Sequence, residues 1–285
     1  MALDEKEWFT EVHTGAGSAF SLKIKAKLHE EQTPFQTIAI YETEQWGRLM
    51  TIDGFVMLTS RDNFLYHEMM THPALYTHAD PRRVVIIGGG DCGTLREVLK
   101  HDDVEQVWQV DIDERVTRLA EQYFPELCEG SDDIRANLLW DDGLRFIKEA
   151  ERSSIDIIIV DSTDPIGPAE GLFNQAFYED CLVALRGGGL LVQQSEAPMY
   201  HLDLLKSMHQ HMRAAGFVDS KTLHFPQPVY PSGWWSATLA CKDNKIEGFR
   251  EGDARAKSFS TRYYNVDIHK AALVQPQFCK EAGLG

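Results

Sequence analysis

Apolar and polar positions change their rhythm twice along this chain. In the first sixty residues they alternate, through SLKIKAKL, FQTIAIYET and the pair GRLMTI and FVMLTS. A period of two marks strands with one buried face. Asp53-Gly54 separates the last pair and predicts a two-residue hairpin turn. The run DNFLYHEMMTHPALYTH then predicts a helix leading to Pro81. Beyond it, short apolar runs and helical-period segments take turns. Strands are expected at 83–88, 106–111, 135–140, 155–161 and 187–194, with helices near 93–100, 113–123, 142–150, 173–185 and 200–215. That repetition builds an α/β domain, a parallel sheet with helices on both faces. Two further β-like runs, FVDSKTLHF and WWSATLACK, flank the Pro-rich PQPVYPSG. The change of texture places a small N-terminal β domain at 1–60 and the α/β domain at 61–285.

Charge narrows the partners. The 285 residues hold 28 Lys+Arg against 44 Asp+Glu, a net charge of -16. Nucleic acid is excluded as a partner, because neutralising phosphates needs clustered cations. Cationic ligands suit the balance, as does simple solubility. The five cysteines are scattered and include no C-x-x-C pair, so neither a zinc site nor a disulfide framework is indicated. No signal pattern opens the chain and no apolar run reaches membrane-spanning length, so a cytoplasmic location is expected.

Ligands of open parallel sheets bind at the carboxyl ends of the strands. There the first strand runs into GGGDCG, with Gly88, Gly90 and Gly93 in G-x-G-x-x-G spacing and Asp91 inside the loop. The next strands end in Asp111, in Asp141-Asp142-Gly143, in Asp161 with Asp164 beside it, and in Gln193, Gln194 and Glu196. Any one of these acids reads equally well as a helix cap. Five successive strands ending so indicate a ligand site. Asp111 suits ribose hydroxyls, and Asp142-Gly143 suits adenine. Asp91 argues against a phosphate after the ribose, and Asp161 and Asp164 add negative charge where the reacting end lies. The ligand read from these residues is an adenosine bearing cationic groups. S-adenosylmethionine also carries a carboxylate, which Asp91 would repel; its decarboxylated form, a sulfonium with a free propylammonium, fits. On this reading the glycines make room for the nucleoside and Asp91 holds the ammonium.

The segments GRLMTIDG, RDNFLYHEMMTH, VVIIGGGDCG, VDID, DDG, DSTDPIGPAEGLF and YYNVDIHKAA, in this order over nearly the whole chain, resemble the spermidine synthases, the polyamine aminopropyltransferases. The resemblance implies a Rossmann-like, methyltransferase-type catalytic domain behind the small β domain, assembled as a homodimer or homotetramer. It also implies small-molecule substrates, with decarboxylated S-adenosylmethionine as co-substrate, no other cofactor and no metal. By position it implies nucleoside contacts from Gln36, Asp111, Asp142, Gly143 and Pro168. It implies polyamine contacts from Tyr66, His67, Asp91, Asp164, Gln194 and Tyr230, with Asp161 as proton acceptor and Trp8 near the acceptor's far end. Departures are Cys92 for the usual Gly or Ala, Asp111 for the commoner Glu, and Pro198 with Trp234-Trp235 near the acceptor pocket. Only one of the two tryptophans is expected to touch that pocket, because alternate strand residues face opposite sides. Glu196 or a water is expected to serve the acceptor's distal ammonium, and STDPIGPAEGLFNQ reads as a lid. Putrescine is the expected acceptor, with cadaverine or spermidine as alternatives. A methyltransferase and a non-enzymatic polyamine-binding protein are the rival readings.

Overall fold

Residues 3–165 and 167–284 are described by a computed structural model, the side chain of Pro168 excepted. The alternating N-terminal runs form one antiparallel sheet in sequence order: β1 (Trp8–His13), β2 (Ser18–Gln32), β3 (Thr37–Thr43), β4 (Arg48–Ile52) and β5 (Phe55–Thr59). The predicted hairpin joins β4 to β5. Its turn residues Asp53 and Gly54 both have positive φ, 50° and 83°, as the right-handed twist of the flanking strands favours. The alternation reading passed over β1. Its inward positions are Phe9 and Glu11, both buried, and a buried acid breaks the apolar pattern by which a strand is read.

The second sheet is built from β6 (Arg83–Gly88), β7 (Gln106–Asp111), β8 (Ala136–Trp140), β9 (Ile155–Asp161), β10 (Leu185–Gln194), β11 (Asp219–Pro226) and β12 (Trp234–Cys241). Its order is β11-β12-β10-β9-β6-β7-β8, and β12 alone runs antiparallel to its neighbours. This is a Rossmann-like sheet. Alternate residues of β6 and β9 enter different cores. Val84, Ile86, Ile157 and Ile159 pack against α1 (Asn63–Thr77) and α2 (Gly93–Leu99). Val85, Ile87, Ile158 and Val160 pack against α4 (Gly143–Glu149), α5 (Gln175–Ala184) and α6 (Leu202–Ala215). Burial on both faces explains why these strands read as continuous apolar runs. Helix α3 (Glu114–Tyr123) instead turns Val116, Leu119 and Ala120 toward Ile38, Ile40, Met50 and Ile52 of the N-terminal sheet.

Three short helices, α7 (Glu251–Ala256), α8 (Val266–Ala272) and α9 (Gln277–Glu281), close the chain. Each is too brief for a helical period to show. The segment before α8 is pinned by buried Glu68 of α1, which accepts the N–H groups of Arg262, Tyr263 and Tyr264 at 2.7–2.9 Å.

Chain order reverses at β6, which lies between β9 and β7. A crevice opens at such a point beyond the strand ends. Gly88 and Asp161, the last residues of β6 and β9, are register partners there.

Candidate active site

The glycine turn after β6 serves the protein's own side chains. A Cβ on Gly88, where φ is +81°, would stand 2.2 Å from the Asp161 carbonyl oxygen. One on Gly90 would stand 2.7 Å from a carboxylate oxygen of Asp111, and one on Gly93 2.1 Å from the His67 ring. The glycines therefore have an intramolecular role beside the one expected from the sequence. They let three elements carrying acids and a histidine close onto one loop, although Gly88, Gly89 and Gly90 also line the resulting cleft.

That cleft has a volume of about 280 Å³ and lies between the two sheets. At one end Gln36, Asp111, Ile112, Asp142, Gly143 and Leu144 line it. Asp111 is pushed up to about 6, chiefly by burial. It accepts the Asp113 N–H at 2.8 Å. Asp142 caps α4, accepting the Leu144 N–H at 2.9 Å, so its cap reading and its place on the cleft both hold. Asp113, which the sequence did not single out as a site residue, organises this end. Its buried carboxylate accepts Thr33 Oγ1 at 2.7 Å, Gln36 Nε2 at 3.1 Å and the Arg115 N–H at 3.0 Å. The N-terminal sheet is thereby tied to the β7–α3 turn.

At the centre stands Asp161. One carboxylate oxygen accepts Tyr66 Oη and the other Thr94 Oγ1, each at 2.6 Å. Burial raises the carboxyl, Asp91 raises it further, and His67, Thr94 and Tyr66 pull against that rise. Asp91 behaves differently. Burial pushes it up, but the charge and N–H of His67 and the Gly93 N–H prevail and hold it low. His67 Nε2 lies 3.3 Å from Asp91 Oδ1, and the two nearby acids keep this buried ring's proton affinity above the ordinary value despite desolvation. His67 does not line the cleft. It stands beside Asp91 as its charge partner.

A smaller cavity of about 40 Å³ continues past Tyr66, Asp164 and Tyr230, lined also by Glu11, Gln194, Pro231 and Trp235. Tyr66 and Tyr230 meet edge to face at 5.8 Å between centroids, and Tyr230 meets Trp235 at 4.6 Å. Asp164 is pushed up to about 8, first by burial and then by Glu196. Glu11 is pushed up to about 7 by burial, with the Val56 N–H opposing. Glu196, also raised by burial, lies behind Asp164 and 3.2 Å from His201 Nδ1, not on the cavity wall. Glu11 occupies the wall position that the sequence gave to Glu196 or a water.

The remaining expected positions divide. Gln194 and Trp235 line the smaller cavity, whereas Trp234 packs against His224 and Phe278. Trp8 and Pro198 line neither cavity. Trp8 sits one residue out of phase with Phe9 and Glu11, so it faces the other side of β1. The side chain of Pro168, an expected nucleoside contact, lies outside the described residues.

Among the described residues, no lysine, arginine or histidine lines either cavity. Four of the lining carboxyls, Glu11, Asp111, Asp161 and Asp164, are instead pushed above the ordinary carboxylate range by burial. A ligand carrying its own positive charge relieves that cost; one carrying phosphate adds to it.

Fold and site together define a Rossmann-like domain whose cleft and adjoining smaller cavity are lined by carboxylates. Residues 63–248 match the spermine/spermidine synthase domain, and residues 7–60 match the spermidine synthase tetramerisation domain. The chain is 63% identical over 282 residues to the polyamine aminopropyltransferase of Thioalkalivibrio sulfidiphilus, covering 99% of each. It is 63% identical over 279 residues to that of Methylococcus capsulatus, covering 98% of each. Among solved structures it is similar to a spermidine synthase in complex with the transition-state analogue AdoDATO. The TM-score is 0.93 at 34% identity, covering 98% of this chain and 95% of that one. The Thermotoga maritima spermidine synthase gives 0.92 at 34% identity, with 98% and 94% covered. The chain belongs to the spermine/spermidine synthase family and is an aminopropyltransferase.

Proposed function

We propose that the enzyme transfers the aminopropyl group of decarboxylated S-adenosylmethionine to putrescine, giving spermidine and methylthioadenosine. The observation that carries this reading is the pair of adjoining cavities that, among the described residues, are lined by carboxyls raised by burial and by no basic side chain. The donor's adenosine lies by Gln36, Asp111, Asp142 and Gly143, and its propylammonium by Asp91. The diamine threads the smaller cavity, one nitrogen at Asp161 and the other toward Glu11 and Gln194.

The amine nitrogen attacks the propyl carbon bound to sulfur; the new C–N bond forms as the C–S bond breaks. Methylthioadenosine leaves neutral, so no acid need protonate it and no metal or further cofactor is required. The obstacle is the nucleophile. An alkylammonium has a pKa near ~10.4 and holds its proton at neutral pH. Asp161 accepts that proton, with Tyr66 and Thr94 fixing the direction of its free lone pairs. Asp91 keeps its charge on the donor's ammonium instead, held there by His67. The 162–175 segment, whose Ser162, Thr163, Asp164, Gly167, Ala169 and Leu172 line the cleft, acts as a lid that excludes water as a competing nucleophile.

The match of the N-terminal sheet to a tetramerisation domain supports a homo-oligomer. Among the described residues no helix is long and apolar enough to cross a membrane. With that, the free thiols of all five cysteines support the cytoplasm as location.

The test is direct. Purified enzyme with decarboxylated S-adenosylmethionine and putrescine should release equimolar methylthioadenosine and spermidine. Release with spermidine or cadaverine but not with putrescine would overturn the acceptor assignment.

A further inference from the structure

Cys92 stands between Asp91 and Gly93, at the start of α2, with φ +66°. A residue bearing a β carbon rarely adopts that left-handed conformation, and an outlier of this kind beside a reacting centre invites a functional reading. Its sulfur is fully buried, 3.8 Å from the Gly90 carbonyl oxygen and 3.6 Å from Gln109 Nε2. Cys128, just past the short 3₁₀ turn Pro125–Leu127, sends its sulfur to the same loop, 3.8 Å from the Asp91 carbonyl oxygen. The two sulfurs thus sit against the consecutive carbonyl groups of Gly90 and Asp91, and each shifts the other's ionisation, Cys92 downward and Cys128 upward. Cys128 is half-exposed, whereas Cys181, Cys241 and Cys279 are buried in separate cores.

We propose that Cys92 and Cys128 form a reversible disulfide under peroxide, and that this bond turns the enzyme off by displacing the Asp91 loop. The chemistry balances with hydrogen peroxide as oxidant. One thiol gives up its proton and attacks a peroxide oxygen as thiolate; the S–O bond forms, the O–O bond breaks, and the departing hydroxide takes that proton and leaves as water. The second sulfur attacks the resulting sulfenic acid, forming the S–S bond and releasing a second water. Two electrons pass from the thiols to the peroxide. A dithiol such as dithiothreitol returns them by exchange.

A disulfide brings the sulfurs to about 2.05 Å, closer than any non-bonded contact allows. Drawing Cys92 toward Cys128 takes its sulfur from Gly90 and Gln109. Cys92 cannot move alone, because Asp91 precedes it and Gly93 after it is wedged against the His67 ring. The carboxylate facing the donor is thereby shifted.

The experiment treats the whole enzyme with hydrogen peroxide, then maps peptides without reduction and assays aminopropyl transfer. Wild type should yield a linked Cys92–Cys128 peptide lighter by two hydrogens. Its kcat/KM for the donor should fall by at least about tenfold, the scale of a sub-ångström to ångström misplacement, and dithiothreitol should restore it. Cys128→Ser and Cys92→Gly should each keep their activity through the same treatment. Absence of the linked peptide, a linked peptide with undiminished activity, or equal inactivation of the variants would each overturn the proposal. The peptide map does not depend on which amine accepts the aminopropyl group, so it stands apart from the acceptor assignment.

Discussion

Asp161 is fixed through both oxygens by hydroxyl donors, leaving each with a free lone pair in a defined direction. Asp161→Asn keeps the shape and loses the base, so turnover should fall by ~10²–10⁴ with folding retained, checked by steady-state rates beside a thermal melt. Asp164 carries a separate prediction. Its carboxyl is raised from the ordinary 3.8 to about 8 in the folded state, so folding favours the protonated form. The stability this confers is complete below the unfolded value and is lost as pH rises through about 8. The melting temperature of the unliganded enzyme should therefore decline across that window. Asp164→Asn should flatten the decline while raising KM for the diamine. An unchanged slope in the variant would assign the pH dependence to other groups, Glu11 first. Residues such as Asp91, Asp111 and Asp161 were legible because a carboxyl strand end is a fixed address in this topology. Glu11 was not. Its strand went unread because an acid on the buried face looks, in sequence, like the polar face.

At the scale of elements, the β6–α2 turn decides whether the site exists. Its glycines are required by contacts 21 to 73 residues away in the chain, the farthest between Gly88 and Asp161. Their spacing was readable, but not what they make room for. Gly88→Ala combines an unfavourable φ with a backbone clash. It should cost at least about 2–3 kcal/mol of stability, seen in a denaturant titration, and take activity with it. Gly54→Ala, also at positive φ but with open space around the added carbon, should cost about 1 kcal/mol and leave turnover intact. The parallel strands were legible as continuous apolar runs, and the helices between them because strand and helix take turns along the chain. The helices after residue 250 were not, since their order comes from Glu68 holding three backbone N–H groups across the fold.

For the whole molecule, the net charge of -16 and the acid-lined cleft act together on cationic substrates. Raising ionic strength from about 0.01 to 0.15 M shortens the screening length from ~30 to ~8 Å. The kcat/KM for the diamine should fall over that range, with kcat itself nearly constant; a kcat/KM indifferent to salt would confine the electrostatics to direct contact. The cleft also needs both sheets, since Gln36 and Glu11 come from one and the catalytic acids from the other. On the proposed function, its central property is intolerance of a ligand carboxylate next to Asp91. Equilibrium binding of decarboxylated S-adenosylmethionine and of S-adenosylmethionine itself measures that property most directly. The decarboxylated form should bind more tightly by on the order of a hundredfold or more, the scale of a like-charge clash worth several kcal/mol. Equal affinities for the two would contradict the account.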